Sequence, residues 1–346
     1  MTNFKGYIYP PLLALLLRPL AGMPEVPAAF AWLAVLNATL LAAMVVAYRG
    51  LRSFVSADAW RWLLAATLLF PPLLENLGFM QVGTPIILLM VLAGVAFLQP
   101  RSTPWSGFWI AVGSALRVSP ALAGFAFLRR EGASWRAIGV GLLTGVVLLA
   151  FMALASPRLG EFLTQVLPGL GHGSAVFDNE APAGVALRLD LFVLGGTGGV
   201  LRYAGAVIAA IVIVITLVMG ARPALTPRSR GAVFAAWVAA IPLVSSITWT
   251  HHLATELVVF AFLAPSLVFA TRTWWLAATA YPLLWSHRVI QVLLVLFGLH
   301  NARDLGGPAL VLLSATGMFG MLLLWVACLD VLRRPDTAAS ATLNHA

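Results

Sequence analysis

Residues 137–156 read AIGVGLLTGVVLLAFMALAS, a run of 20 residues without a charged side chain. A helix of about 20 apolar residues crosses the hydrocarbon core of a bilayer. Hydrophobic residues make up 61% of the chain and charged residues only 10%, whereas a soluble domain carries about 25% charged residues. The sequence therefore predicts an all-α, polytopic integral membrane protein with about 9–12 membrane-embedded helices, some of them short and re-entrant.

Short polar loops separate the apolar segments along most of the chain. We place these segments at about 11–22, 28–48, 62–74, 84–98, 106–116, 118–128, 137–156, 200–220, 231–247, 252–270, 274–297 and 308–330. The longest polar stretch, about 157–199, lies between two crossings. The pattern predicts a single transmembrane domain over residues 1–335, an extracytoplasmic loop at about 157–199, and a disordered C-terminal tail at 336–346.

The distribution of arginine sets the predicted orientation. The net charge is +9, and 20 of the 21 basic residues are arginine. Most of them lie in short loops between apolar segments, as in cytoplasmic loops of membrane proteins, and not in a stripe that would suit nucleic acid. We therefore predict no nucleic-acid partner, cytoplasmic arginine-bearing loops and an external 157–199 loop. A single cysteine, Cys328, cannot form an internal disulfide.

The segment 106–128 is predicted to enter the membrane and return. Arg101 and Arg129 can share a side only on that path, and each arm of about 11 residues spans roughly half a bilayer. The hinge reads RVSP at residues 117–120, and proline disfavours helix at the residue before it. Broken backbone at membrane depth is tolerated where it lines a cavity, which would place Arg117 in one. The alternative is a single tilted helix with a proline kink.

Two adjacent histidines close the stretch SSITWTHH at residues 245–252. Ionisable groups at membrane depth are costly, so each is treated as a functional hypothesis. His252 and Glu256 are four residues apart and would share a face of a helix, where Glu256 could fix the tautomer of a substrate-contacting histidine. The alternative is a helix-start cap with an interfacial His–Glu pair. No metal site is predicted, because the sequence offers the pair no identifiable third ligand.

Four short motifs are spread along the chain. They read YPPLLALL at 9–16, GSALRVSP at 113–120, DNEAPAG at 178–184 followed by Arg188, and SITWTHH at 246–252. Together they resemble the motifs of the polyprenyl-phosphate-mannose-dependent mannosyltransferases, glycosyltransferase family eighty-seven, many members of which have lysine where this chain has Arg117. The resemblance extends from Tyr9 to about residue 330, and the first and last motifs are the more specific.

The resemblance implies a GT-C fold, a multi-spanning helical domain whose active site opens on the outer side of the membrane. It also implies inverting transfer of a sugar from a lipid-phosphate donor to a glycolipid or glycan acceptor, and we predict no cofactor. In the family the catalytic carboxylate lies in a loop upstream of the tyrosine–proline–proline motif, whereas here the residues before Tyr9 include neither Asp nor Glu. We therefore expect that segment to be missing from this chain, and no catalytic base is carried over from the family.

Inverting transfer needs a base for the acceptor hydroxyl and positive charge for the leaving phosphate. Arg117 is a predicted phosphate contact, although it could instead cap broken backbone carbonyls or pair with a helix carboxylate. Arg188, which ends the third motif, is a second predicted phosphate contact. The other predicted substrate-binding residues are Tyr9, His251, His252 and Glu256.

The sequence does not identify the catalytic base. Glu75, Asp178 and Glu180 lie on the proposed outer side and are candidates, although each could be a solvated loop residue or a salt-bridge partner. His287 and Arg288 interrupt the apolar segment 274–297, which indicates either a cavity face or a helix break near the interface.

We therefore predict a membrane glycosyltransferase that transfers a sugar, mannose by resemblance, from a polyprenyl-phosphate donor on the outer side of a bacterial cytoplasmic membrane. A secondary transporter or lipid flippase would also use broken helices with intramembrane charge, but no internal repeat is detected. A truncated or degenerate non-catalytic homologue is the second alternative. The prediction depends on Arg117 and the two histidines facing one polar pocket that opens outward.

Overall fold

The computed structural model describes residues 8–99, 103–128, 134–171, 173–196, 201–222, 226–298 and 307–334. These residues form helices and irregular segments, with no β-strand among them, so the all-α prediction is confirmed. The predicted tail at 336–346 lies outside the described residues. The chain forms two compact units, Met1–Gly171 and His172–Ala346, and each is described by itself. The prediction of one domain over residues 1–335 stays a prediction.

The first unit consists of long apolar helices joined by short turns. Its described α-helices are α1 (Pro11–Leu17), α2 (Glu25–Leu51), α3 (Ala57–Leu68), α4 (Pro71–Gly78), α5 (Gly83–Leu98), α6 (Thr103–Leu116), α7 (Trp135–Ala155), α8 (Leu159–Glu161) and α9 (Leu167–Leu170). Two 3₁₀ helices, Arg18–Gly22 and Ser119–Phe127, and a π-helical turn, Phe162–Val166, are also present. Helices α1 and α4 begin at proline, whose missing N–H would have no partner at that position.

The second unit is built in the same way. Its described α-helices are α10 (Pro182–Phe192), α11 (Leu201–Gly220), α12 (Pro227–Val244), α13 (Glu256–Leu263), α14 (Arg272–Leu296), α15 (Gly307–Leu313) and α16 (Thr316–Arg333). Two short 3₁₀ helices, Thr250–Thr255 and Ala264–Ser266, flank α13.

The predicted 157–199 loop is largely helical in its described part, because it contains α8, the π-helical turn, α9 and α10.

Four of the described helices are long and apolar enough to cross a membrane: α2, α7, α11 from Tyr203 onward, and α16. Helix α7 exposes large apolar side chains, and Leu154 is 90% exposed. A helix that is apolar around most of its circumference is typical of a membrane span when the protein does not bury it. The chain is thus a candidate multi-pass membrane protein.

Three of the predicted apolar segments are divided in the structure. Segment 62–74 breaks between α3 and α4, segment 308–330 breaks between α15 and α16, and segment 252–270 consists of α13 and its two flanking 3₁₀ helices. Prolines begin α4 and lie in the 3₁₀ helix after α13, and proline cannot supply the N–H that a continuing helix needs. Hydropathy does not register these breaks, because the residues on both sides are apolar.

The stretch from Thr103 to Leu128 runs out along α6 and returns within the first unit. Helix α6 ends at Leu116, and the 3₁₀ helix Ser119–Phe127 brings the chain back. The ring of Phe127 lies 6.0 Å from that of Phe97, close to the end of α5 and the start of α6. The chain therefore reverses as the hairpin requires, and the single kinked helix is excluded. Arg101 and Arg129 lie outside the described residues, and the entry of this hairpin into the membrane stays a prediction.

Helix α7 begins beside the second turn of α6. A Cβ atom on Gly107 would lie only 1.9 Å from the carbonyl oxygen of Ala137. Small residues let two helix backbones approach this closely, a common arrangement in membrane helix packing. The close approach fixes the start of α7 at the end of the unit where α6 starts.

The two ends of the first unit differ in their polar side chains. Arg49 lies in the last turn of α2 and Arg136 in the first turn of α7, both at the end where α5 finishes. Arg117 follows α6 at the opposite end, and Tyr9 is close enough for the Arg117 charge to influence its pKa. The Tyr9 hydroxyl donates a hydrogen bond to Oε1 of Gln81, just before α5.

The second unit has a similar division. Helices α14 and α16 pack side by side and run antiparallel. Near the start of α14, the Thr273 hydroxyl donates a hydrogen bond of 2.6 Å to Oδ2 of Asp330, near the end of α16. Arg334 also donates to this carboxylate, and Arg272 lies 3.9 Å from it. The remaining polar groups described below lie at the opposite end, where α16 starts.

Candidate active site

Asn179 joins the two polar motifs of the second unit. Its side-chain amide donates hydrogen bonds to the carbonyls of Ser174 (2.7 Å) and Ser246 (3.1 Å). Its Oδ1 accepts from the backbone N–H groups of Thr248 (2.8 Å) and Ala181 (3.2 Å). Asn179 is fully buried, and these four bonds fix the loop before α10 against the segment after α12.

Backbone contacts reinforce this junction. The N–H of Glu180 donates to the carbonyl of Thr248 (2.7 Å), and the Thr248 hydroxyl donates to the carbonyl of Pro242 (3.0 Å) near the end of α12. Helix α12 ends at Val244, and the extended Ser245 starts the turn toward the histidines. The polar residues of two distant motifs are thereby brought together.

The two histidines lie in the 3₁₀ helix Thr250–Thr255 and stack with Trp249. Their ring centroids are 4.5 Å apart, and that of Trp249 lies 5.6 Å from His251 and 5.5 Å from His252. The backbone N–H of Trp249 donates to Nδ1 of His252 at 3.3 Å. Because Nδ1 is the acceptor, a neutral His252 carries its proton on Nε2. We refer to Trp249, Thr250, His251 and His252 as the histidine turn.

A buried chain of three side chains ends at the first residue of this 3₁₀ helix. Nδ1 of His287 lies 3.1 Å from Oε1 of Glu180, an ion-pair contact that lacks the alignment of a hydrogen bond. Nε2 of His287 lies 2.7 Å from the hydroxyl oxygen of Thr250, within hydrogen-bond geometry. All three side chains are fully buried. Their order is carboxylate, imidazole and hydroxyl, and we call this arrangement the Glu180–His287–Thr250 relay.

Several features of its surroundings act in opposite directions on the pKa of the Glu180 carboxyl group. Burial raises its pKa to about 8, whereas the charge of Arg188 and the backbone N–H groups of Gly317 and Met318 act to lower it. These N–H groups belong to the first turn of α16, where unpaired amides and the helix dipole favour negative charge. A Cβ atom on Gly317 would lie 2.5 Å from Oε2 of Glu180, so glycine leaves the room that the carboxylate occupies.

Arg188 uses its guanidinium to hold backbone carbonyls. Its Nη1 donates to the carbonyls of Val176 (2.7 Å) and Asn179 (2.9 Å), and its Nη2 donates to that of Ser314 (3.2 Å). The side chain is only 1% exposed. Burial lowers the pKa of Arg188 to about 10, against the charges of Glu180 and Asp178, which raise it. The predicted phosphate contact of Arg188 stays a prediction.

Asp178 lies beside the relay in a more accessible position. Nη1 of Arg288 donates to Oδ1 of Asp178 at 3.1 Å and to Oε1 of Gln291 at 2.6 Å. The side chains of Asp178 and Arg288 are 32% and 27% exposed. Asp178 and Glu180 are two residues apart in the sequence, but only the Asp178 side chain is exposed to solvent.

The predicted contact between His252 and Glu256 is absent. Glu256 is fully buried, and neither carboxylate oxygen has a hydrogen-bond partner among the described residues. The prediction assumed an α-helix from residue 252, but His252 lies in a 3₁₀ helix and α13 begins only at Glu256. A 3₁₀ helix has about three residues per turn, so residues four apart do not share a face. The carboxylate–imidazole pair of this unit is instead Glu180 with His287.

The remaining predicted residues lie in the first unit. Burial raises the pKa of the Tyr9 phenol, and the nearby positive charge of Arg117 lowers it. The backbone N–H of Arg117 still completes the last turn of α6 by donating to the carbonyl of Gly113 (2.9 Å), and its side chain is half-buried. Glu75 is half-buried in α4. The predicted pocket that joins Arg117 to the histidines stays a prediction.

The sequence of this chain matches the model of a known protein family. The model of glycosyltransferase family 87 matches residues 7–246 of this chain, which is more than half of its length. The chain belongs to glycosyltransferase family 87. The matched range of this family 87 member includes Tyr9, Arg117 and the loop before α10 and ends just before the histidine turn. No curated protein and no solved structure matches the chain.

Two residues of this candidate site carry no signal in the sequence. Asn179 lies within a quoted motif but was not singled out, because a single asparagine gives no signal that it will bridge two loops. Thr250 contacts His287 across 37 residues of sequence, a pairing that no local pattern predicts. Helix α14 runs through His287 and Arg288 without interruption, which excludes the alternative of a helix break at these residues, and the predicted cavity face stays a prediction.

Within the part of the chain that the structure describes, no group of three or more His, Cys, Asp or Glu side chains could hold a metal ion.

Proposed function

We propose that this protein transfers mannose from a polyprenyl-phosphate donor to a glycolipid or glycan acceptor, with inversion at the anomeric carbon, on the outer side of a bacterial cytoplasmic membrane. Membership of glycosyltransferase family 87 supports the transfer of a sugar. The four candidate membrane spans support a lipid-linked donor. The choice of mannose and of a polyprenyl carrier rests on the resemblance of the four sequence motifs.

The observation that carries the proposal is the anchored histidine turn. Asn179 fixes the segment before it, and the buried relay reaches Thr250 within it. Burying so many polar groups costs free energy unless they are bonded to one another. Such a network holds two imidazoles in a defined position, which suits groups that contact the hydroxyls or the phosphate of a substrate.

The reaction needs a base and a stabilised leaving group. The acceptor hydroxyl gives its proton to the base and its oxygen attacks the anomeric carbon, while the bond from that carbon to the phosphate oxygen breaks. Polyprenyl phosphate leaves with the bonding electrons. In the second unit we propose Asp178 as the base in preference to Glu180, because Asp178 is accessible and Glu180 is buried. Glu75 is the candidate of the first unit.

The proposal assigns substrate contacts in each unit. Arg117 offers charge-assisted hydrogen bonds to the donor phosphate, with Tyr9 beside it. His251 and His252 contact the donor phosphate or an acceptor hydroxyl. Arg188 acts by holding carbonyl groups of the loop, which makes it a positioning residue. The fully buried Glu256 is kept as a predicted substrate-binding residue only.

Sugar transfer by the full-length protein in liposomes would test this proposal. With mannose-labelled polyprenyl phosphate and an extract of glycolipid acceptors, we expect label in the acceptor and an inverted anomeric configuration. A matched preparation of the His251→Ala, His252→Ala double variant is expected to incorporate little label. Movement of the donor across the bilayer without label in any acceptor would contradict the proposal and favour a flippase.

The proposed orientation makes a separate prediction for residues near the site. Val176 is 55% exposed, so Val176→Cys should react with a membrane-impermeant thiol reagent added to intact cells. Arg272→Cys, at the opposite end of the same unit, should react only after permeabilisation. The wild-type protein is the blank, because its one cysteine, Cys328, is buried. The reverse labelling pattern would place the site on the cytoplasmic side.

A further inference from the structure

The Glu180–His287–Thr250 relay is fully buried and has no role in the reaction proposed above. We infer that the relay binds one proton and thereby sets the direction of the hydrogen bond between His287 and Thr250, which positions the histidine turn for sugar transfer. Its three members are positioning residues, since none is exposed to substrate. The inference about transfer rests on the proposed function, whereas the inference about the proton does not.

The state without the extra proton follows from the two distances. Glu180 is a carboxylate, and the imidazole proton lies on Nδ1, 3.1 Å from Oε1 of the acid. Nε2 then has only a lone pair, so at 2.7 Å it must accept the hydrogen of the Thr250 hydroxyl. In this state the hydroxyl hydrogen of Thr250 is committed to His287.

Adding one proton to the relay exchanges the donor and the acceptor in the hydrogen bond between Thr250 and His287. The proton is shared by Oε1 of Glu180 and Nδ1 of His287, and in either position it leaves Nε2 carrying a hydrogen. Nε2 then donates to the hydroxyl oxygen of Thr250, and the hydroxyl hydrogen becomes available to another acceptor. The relay then holds two protons, one on Nε2 and one on either Nδ1 or Oε1. A new N–H bond has formed at Nε2, and the O–H bond of Thr250 stays intact while its hydrogen-bond role changes from donor to acceptor.

The surroundings explain why the relay could bind this proton near neutral pH. Burial favours uptake because it raises the pKa of Glu180 to about 8, and the positive charge of Arg188 opposes uptake. The N–H groups at the start of α16 also oppose it. The other titratable or charged groups on the elements packed around the relay include Asp178, Asp190, His251, His252, Glu256, Tyr281 and Arg288. Arg272, Asp330 and Arg333 lie at the opposite ends of α14 and α16.

The position of Thr250 couples the relay to the histidines. Thr250 is the first residue of the 3₁₀ helix, and its side chain is fully buried immediately before His251. A hydroxyl that changes from donor to acceptor at this point alters which neighbouring groups it can bond. The orientation of the histidine turn therefore depends on whether the relay holds its proton.

Nitrogen NMR of ¹⁵N-histidine-labelled full-length protein in nanodiscs, with His287 assigned by a His287→Gln variant, would test the proton directly. We expect His287 to carry a hydrogen on Nδ1 and none on Nε2 at high pH, and to gain a hydrogen on Nε2 at lower pH, with one transition between about pH 6 and 9. Glu180→Gln removes the carboxylate that shares the proton, so the transition of His287 should be lost from this pH range. Unchanged His287 signals across this range in the wild-type protein would overturn the inference.

Transfer assays with two variants of Thr250 would test the positioning role. Thr250→Ser keeps the hydroxyl and should keep the wild-type pH profile of the transfer rate. Thr250→Val keeps the shape but not the hydroxyl, and should lose about tenfold in rate together with the pH dependence assigned to the relay. A valine variant with the wild-type rate and profile would refute the role. A wild-type protein that titrates at His287 but transfers no sugar would instead refute the proposed function.

Discussion

Replacing Arg117 with alanine is expected to lower the rate of sugar transfer by about a hundredfold or more, while membrane insertion is unchanged. The guanidinium follows α6 at the turn of the hairpin, at the end of the first unit away from Arg49 and Arg136. Removing a single group that stabilises developing negative charge typically costs about 10²–10³ in rate. The measurement is transfer from labelled polyprenyl-phosphate mannose in liposomes with equal amounts of inserted protein.

Two companion variants sharpen this test. Arg117→Lys keeps a positive charge without the bidentate geometry, and we expect it to retain more activity than the alanine variant. Arg136→Ala removes an exposed arginine from the opposite end of the unit and should transfer at the wild-type rate. If Arg117→Ala transferred as fast as Arg136→Ala, Arg117 would have no part in phosphate binding.

Replacing Asn179 with alanine is expected to destabilise the second unit by about 4 kcal/mol, on roughly 1 kcal/mol for each of its hydrogen bonds. The variant leaves two carbonyls and two N–H groups without their partner at a buried position. The rate of sugar transfer should decrease as well, because Asn179 no longer fixes the segment that leads to the histidine turn. Thermal unfolding in detergent and the transfer rate are the two measurements.

Asn37 provides the matched control. It is exposed on α2 and donates a single hydrogen bond to the carbonyl of Leu33, within its own helix. Asn37→Ala should change the unfolding midpoint little, because the Leu33 carbonyl keeps its backbone hydrogen bond within α2. Equal shifts in the two alanine variants would mean that Asn179 does not join the loops in the way described.

The helices and the hairpin were predictable because their causes are local. Apolar runs of sufficient length predict spans, and the proline at position 120, three residues after Arg117, predicts the break that ends α6. The bounds of α7 differ from the predicted 137–156 by only a residue or two. Family membership was likewise predictable from short motifs, because these are read directly from the sequence.

The histidine turn was placed correctly in sequence but not in geometry. A 3₁₀ helix and the start of an α-helix share the same hydropathy, so the pairing of His252 with Glu256 was expected and is absent. The actual partner of Glu180 is His287, on a helix far along the chain. Arg188 illustrates the same limit, because a sequence does not indicate whether a guanidinium meets a ligand or backbone carbonyls.

The glycine at position 317 has a consequence for the search for relatives. Any larger residue there would place its Cβ atom against the Glu180 carboxylate and would force the acid away from its imidazole partner. Homologous sequences that keep both the acid and the imidazole should therefore also keep glycine at this point, and those that lose one should tolerate alanine or serine. The three positions together would be a diagnostic signature, readable from an alignment, for family members that share this internal proton site.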